Sequence, residues 1–419
     1  MPTLFIAAPF FPPSSMPPSQ RVRLLVRHLH EVDWQPVIFT PDHRYREEVP
    51  DPWMLEITGD QFEEIKIGCF DQRTTRKFGV GDLGLRIFPF LFFALWKNTR
   101  RKKPAFILYP VPPWYMMVMA PFLKWMTGVP YAIDFIDPWV QKTEGQKGKA
   151  KLSQWIARRL EGFVVKRSSA VFAVSQGILN DLLQRHPSLQ AIPLVSVPYG
   201  VEASDFLAIK PKKTEGGPVM IRYTGAISVA MLVVADTLFK ALKIVNESKP
   251  VQVIFTGTSY AGTGQVRPVL AELIRDNDVA SFITEKPSRV GYKEALELSM
   301  GADMQLIIGD TTPYYAASKL MGLAASGRPF FAFIHKESFP ATFLHECKYE
   351  YVTVFENEEL GKEMKIKELA DAILYAISGK EPFHRIDINN PVLAQYTAAA
   401  MTKTFSDTLK KAIHGQEAL

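Results

Sequence analysis

The chain has 419 residues, 47% hydrophobic and 22% charged, with a formal net charge of +6. That length exceeds what one hydrophobic core usually supports, and the composition excludes disordered and fibrous classes. Cys69 and Cys347 stand 278 positions apart without CxxC spacing, and the eight histidines form no HExxH pattern. A disulfide framework and a cysteine or histidine metal site are therefore not expected, and the compartment reads as reducing.

The opening MPTLFIAAPFFPPSS carries no basic leader and runs into prolines, which predicts a first strand over Thr3 to Ala7 rather than a secretory signal. The next segment places Val22, Leu25, Val26 and Leu29 at i, i+3, i+4 and i+7, the buried stripe of a helix. Arg21 enters that helix from the loop and is a candidate site residue. Val37 to Thr40 reads as the second strand. Phe70 to Lys103 then concentrates nine basic residues against Asp71 and Asp82, a local charge of +7, around the aromatic run IFPFLFFALW. The run from Ile87 to Trp96 is far shorter than the roughly 20 residues needed to cross a bilayer. Arg86, Phe90, Phe92, Trp96, Arg100 and Arg101 are instead candidates for contact with an anionic membrane surface, because the aromatics are not interleaved with the polar readers of a nucleic-acid binder. The alternative is a solvated helix end after a core helix.

Further strands are predicted at Phe106 to Tyr109, Tyr131 to Asp134, Ala170 to Val174 and Leu194 to Val197, with helical crossovers that imply a mostly parallel sheet. The turn in YAIDFIDPWV carries Asp134 and Asp137. Either carboxylate could orient or deprotonate an acceptor hydroxyl, although Asp before Pro also commonly caps its own turn. Lys210 to Gly217 reads as a linker. The strand pattern restarts at Val219 to Thr224, Val251 to Thr256, Phe282 to Glu285, Met304 to Ile308 and Pro329 to Phe333. The expected organisation is a domain over 1–209, a linker over 210–217, a second domain over 218–390, and a final segment over 391–419 packing back toward the first domain. Within MQLIIGDTTPYYAASKLMGLAASGRPFFAF, backbone N–H groups around Ala317, Ser318 and Lys319 would open a helix toward an anion, with Ser318 as cap and Lys319 as cation. The duller reading is an ordinary capped helix with an exposed lysine.

SKLMGLAASGRP at 318–329 resembles the donor-site segment of GT-B glycosyltransferases, in particular retaining family four. FFPPSSMPPSQR at 10–21, AVSQGILNDL at 173–182, VPYGVEASDF at 197–206, YTGAIS at 223–228 and SRVGYKEAL at 288–296 are similar to that family's segments in the same order. The resemblance implies an α/β fold of two doubly wound, Rossmann-like domains facing across a cleft. It further implies a retaining, metal-independent and cofactor-free transfer of sugar from a nucleotide sugar to a glycan or lipid-linked acceptor. On that likeness Gly225 and Gly257 admit the donor, Arg289 and Val290 meet its base, and Ala317, Ser318, Lys319 and Leu320 hold its phosphates. The implied setting is polysaccharide or glycolipid assembly, cytoplasmic and peripheral at the inner membrane face. Two family glutamates are replaced by Tyr314 and Gly322, and a glycine pair in the first loop by Ser15-Met16-Pro17-Pro18. A non-catalytic glycan- or nucleotide-binding partner of a glycosyltransferase and a sugar-nucleotide epimerase of the same fold are the alternative functions.

Overall fold

Short apolar runs rich in Val, Ile and Phe build thirteen described strands in two separate parallel sheets, because the helical crossovers between runs return the chain to the same end of the sheet. The computed structural model describes residues 1–46, 48–140, 149–211, 216–259, 266–313, 315, 317–379 and 385–417. By internal contacts the chain divides into one unit formed by residues 1–200 with 398–419, and another formed by 201–397.

The first unit holds β1 (Thr3–Ala7), β2 (Gln35–Pro41), β3 (Glu63–Ile67), β4 (Phe106–Val111), β5 (Tyr131–Phe135), β6 (Ala170–Ala173) and β7 (Leu194–Ser196) in the order β3-β2-β1-β4-β5-β6-β7. All neighbours run parallel, with Phe5 opposite Val37 and Leu108 opposite Ala132. The central strands β4 and β5 are buried along their whole length, the signature of a sheet covered on both faces. The helix Pro17–His28 turns Val22, Leu25 and Val26 onto this sheet, and the last helix, Ala398–Glu417, adds Met401, Phe405 and Leu409 to the same core. Trp34 Nε1 donates to Ser406 Oγ at 3.0 Å, and the Phe172 and Phe405 rings lie 4.2 Å apart.

The second unit holds β8 (Val219–Thr224), β9 (Val251–Thr256), β10 (Ile283–Lys286), β11 (Met304–Ile308), β12 (Phe330–His335) and β13 (Val352–Phe355) in the order β10-β9-β8-β11-β12-β13. The strand order reverses between β8 and β11. In such sheets the crevice outside the carboxyl ends of the strands at the reversal is where ligands bind.

Two strands escaped the sequence reading, β3 and β13, and both are edges of their sheets. The sequence of β3, Glu-Glu-Ile-Lys-Ile, leaves its first residues exposed, so it lacks the apolar run that marks a covered strand. The expected linker also moves. Residues 201–209 belong to the second unit, where Val201 N donates to Tyr396 O at 2.9 Å and Tyr292 Oη donates to Asp205 at 3.4 Å. Part of the anticipated linker, 212–215, lies outside the described residues, as does Tyr314. At the other end the first unit resumes at Ala398 rather than at 391.

Candidate functional site

In the second unit, chemistry collects at the carboxyl ends of β8, β9 and β11. Gly225, directly after β8, has φ +143°, a conformation that side-chain-bearing residues rarely adopt. Its N–H donates to Thr256 O at 2.7 Å, and Gly257, with φ +76°, donates to Lys286 O at 2.8 Å, which ties the ends of neighbouring strands together. A Cβ built at Gly257 would lie 3.7 Å from Arg289 Cα and 3.9 Å from Gly225 N. The two glycines therefore leave a shallow backbone-walled space beside Arg289.

Lys319 fills that space. Its ammonium lies 4.0 Å from the centre of the Tyr223 ring, and its Cε and Nζ occupy the volume a Cβ at Gly225 would take. Surface area alone makes Lys319 half-buried, yet its ammonium end is enclosed. Burial, aided by the positive charge of Arg289, brings its pKa down from the ordinary 10.5 to about 7. A desolvated cation is thus held over backbone glycines at the reversal point, an arrangement suited to an anionic group such as a pyrophosphate.

Other residues complete this face. Ser228 Oγ is buried and has no hydrogen-bond partner among the described residues. At the end of β11, a side chain at Gly309 would come within 2.9 Å of Ile334 Cα, so only glycine permits this approach of β11 to β12. Next to it, Asp310 accepts from Thr312 N and Oγ1, both at 2.7 Å, and burial raises its carboxyl above the usual range. The sequence reading gave no individual role to Tyr223, Ser228 or Asp310, although Tyr223 and Ser228 lie within YTGAIS at 223–228 and Asp310 lies just beyond a strand end.

The helix expected to open at Ser318 is shorter and later. It spans Leu320–Ala325, with Lys319 as N-cap in helical geometry and no side-chain cap. Ser318 is exposed and caps nothing, and Ala317 O accepts the N–H of Leu320 at 2.9 Å, so that donor is already used. Leu320 itself is fully buried and belongs to the core. A helix of six residues aligns few peptide dipoles, so the anion-binding capacity of this face rests on Lys319 and the glycine backbone. Arg289 is exposed and Val290 half-buried on the loop after β10. At Gly322 the close neighbour is Phe206: an added Cβ would stand 3.1 Å from its Cζ. A separate cavity of about 470 Å³ opens at the opposite ends of these strands, lined by Val219, Met304, Tyr351 and Asp303. Asp303 there accepts Met220 N, and nothing among its lining residues suits a phosphate.

In the first unit the three candidate catalytic residues separate. Arg21 and Asp134 are each 1% exposed and satisfy one another: Nε and Nη2 of Arg21 donate to the two carboxylate oxygens at 2.9 and 3.0 Å. Arg21 Nη1 donates to Pro198 O at 2.8 Å, and its guanidinium lies 5.0 Å from the Phe405 ring. Buried and paired in this way, the two residues join the first helix, β5 and the last helix. Asp137, three residues on, is exposed, and among the described residues its carboxylate accepts no hydrogen bond. The protein packed around its turn raises its pKa, and because solvent still reaches it the rise is a bias toward basicity, not neutralisation.

The basic aromatic stretch forms the helix Leu83–Lys102. Gly84, Ile87, Leu91 and Leu95 face inward at helical spacing. Arg86 shares their side: it is 3% exposed and donates to Phe70 O at 3.0 Å and Tyr45 O at 2.8 Å, so it is not a surface cation. Phe90 is half-buried against Phe70, with ring centres 4.9 Å apart, and Phe92 is half-buried beside Phe93. Trp96 lies half-buried beneath Arg100, whose guanidinium sits 4.3 Å from the ring; Arg100 and Arg101 are exposed. No described helix is long and apolar enough to cross a membrane, and no three described His, Cys, Asp or Glu side chains cluster to hold a metal.

Comparisons with known proteins bear on the fold. No curated protein sequence matches the chain. Among solved structures, Anabaena HepE in complex with UDP and glucose superposes with a TM-score of 0.64 at 14% identity, covering 98% of this chain and 100% of its own. The lipopolysaccharide outer core galactosyltransferase WaaB superposes at 0.60 with 12% identity over 98% and 99%. A putative UDP-N-acetylglucosamine 2-epimerase from Listeria monocytogenes superposes at 0.56 with 9% identity over 99% and 97%. Residues 18–200 match the family described as Glycosyl transferase 4-like domain. The chain therefore has the GT-B fold, and its likeness to the glycosyl transferase 4-like family lies in residues 18–200.

Proposed function

We propose that this protein transfers a sugar from a nucleotide-diphosphate sugar to a glycan or lipid-linked acceptor in polysaccharide or glycolipid assembly, at the cytoplasmic face of a membrane. The observation that carries the reading is Lys319, a desolvated cation placed over the Gly225 backbone at the strand-order reversal of the second unit. A diphosphate there restores the charge that burial disfavours. It gains most as negative charge grows on the leaving group. Arg289 and the Ser228 hydroxyl flank the same position, and this charge compensation is proposed to suffice without a metal. Asp137, on the first unit, is proposed to orient or deprotonate the acceptor hydroxyl, since its raised pKa makes it a better base than an ordinary aspartate. Retention of configuration is proposed on family likeness alone.

One observation favours a second reading, a non-catalytic binding partner: Phe206 fills the space beside Gly322 where the family's glutamate would project. Incubation with a panel of nucleotide sugars and a membrane extract separates the possibilities. Release of nucleoside diphosphate dependent on extract supports transfer, conversion of nucleotide sugar without extract identifies an epimerase, and nucleotide binding without turnover identifies the binding partner.

A further inference from the structure

We infer that two packed helices of the first unit, Ala120–Thr127 and Lys149–Val165, form a docking surface for an anionic phospholipid bilayer. This extends the membrane element of the proposed function and rests on it for its purpose, though not for its geometry. In the first helix Phe122, Trp125 and Met126 recur at i, i+3 and i+4 and are all exposed, Trp125 at 85%. In the second, Leu152, Trp155 and Arg159 follow one stripe that continues to Phe163, with Leu152 and Trp155 more than half exposed. The helices meet where the Phe122 and Phe163 rings approach to 5.5 Å.

Soluble surfaces seldom display two tryptophans and a phenylalanine together, which marks the patch as an interaction surface. The cations select the partner. Arg159 lies over Trp155 at 5.2 Å and Arg167 over Phe163 at 4.5 Å, each stacked with its charge outward. Both arginines are exposed, as are Lys151 and Arg158 on the same helix and Lys166 directly after it. The one acid between Trp155 and Phe163, Glu161, is fully buried and pairs inward with Arg185. Indole rings at headgroup depth with guanidinium groups against phosphates is the pattern that anionic leaflets favour.

The test is co-sedimentation of the full chain with phosphatidylcholine vesicles with and without phosphatidylglycerol, beside titration with an oligouridylate and a sedimentation measurement of self-association. The wild type is expected to bind the phosphatidylglycerol vesicles and only weakly the neutral ones. Arg159→Ala and Arg167→Ala should each weaken binding roughly fivefold, from about 1 kcal/mol per cation near the surface, and Trp125→Ala should weaken it on the same vesicles without altering nucleotide affinity. Unchanged vesicle binding in Trp125→Ala and in the arginine double variant would overturn the inference. So would loss in these variants of oligouridylate binding, or of a dimer, in a protein that ignores vesicles. Nucleoside diphosphate titration keeps the two readings apart: vesicle binding without nucleotide binding retains this surface and removes the transfer reading, and the reverse removes only the surface.

Discussion

The ammonium of Lys319 stands where a side chain at Gly225 would begin, with Cε 2.6 Å from the position of that missing Cβ. Gly225→Ala therefore meets two obstacles at once, a backbone at φ +143° and an occupied volume. Strain of this kind costs about 1–3 kcal/mol. The substitution should lower the unfolding midpoint and displace the lysine, raising the KM for the donor at least tenfold by order of magnitude if Lys319 binds it. A thermal melt and a donor titration read the two effects separately.

Lys319 should carry a stability cost with a defined pH dependence. Folding lowers its pKa from 10.5 to about 7, so between those values the unfolded chain binds a proton that the folded chain does not. Stability gained from this group therefore rises with pH across that window, and the deficit is complete below about 7. Lys319→Met should raise the melting temperature, by more in mildly acidic than in alkaline buffer. A variant less stable than wild type at acidic pH would show that the ammonium is well solvated.

Arg21 and Asp134 should answer to stability instead of chemistry. Removing one partner leaves a buried charge unpaired, a loss of about 3–5 kcal/mol. Arg21→Met combined with Asp134→Leu should cost less than the sum of the single changes, because the two residues share one interaction. Urea denaturation of the four proteins measures this coupling.

The strands Thr3–Ala7, Val251–Thr256 and Met304–Ile308 could be read from the sequence because they are buried along nearly their whole length, as continuous apolar or β-branched stretches with little polar interruption. Of the four edge strands, β7 and β10 could be read, but β3 and β13 could not, since they expose residues on one side and mix charge or threonine into the run. Site residues divided by the same logic. Gly225 and Lys319 mark local features, a strand end and a helix start. The pairing of Arg21 with Asp134 joins residues 113 positions apart, and the approach of Phe206 to Gly322 is likewise non-local, so no window of sequence reveals either. Arg86 and Leu320 were misplaced because helical phase decides which way a side chain points, and a basic or cap-adjacent residue looks accessible until that phase is known.

Asp137→Asn should abolish transfer while leaving nucleotide binding and the melting temperature near those of wild type. The base form is the ionised one, so the wild-type rate should rise with pH through the raised pKa of this carboxyl. That acid limb should begin above the range of an ordinary aspartate and vanish in any residual activity of the variant.

Gly322→Glu should destabilise the second unit, because its Cβ would press on the Phe206 ring at 3.1 Å, and overpacking of this kind costs about 1–3 kcal/mol. Phe206→Ala in the same chain should recover part of the loss. Melts of the single and double variants supply the comparison.

Calorimetric titration of UDP, GDP and ADP into the wild type and Lys319→Met, near neutral pH in two buffers of different ionisation enthalpy, bears most directly on the donor site. Binding of at least one nucleotide with net proton uptake in the wild type, and loss of both affinity and uptake in the variant, is the outcome expected of an ammonium whose pKa rises when a diphosphate arrives. Equal affinity in the two proteins, with no proton taken up by either, would contradict it.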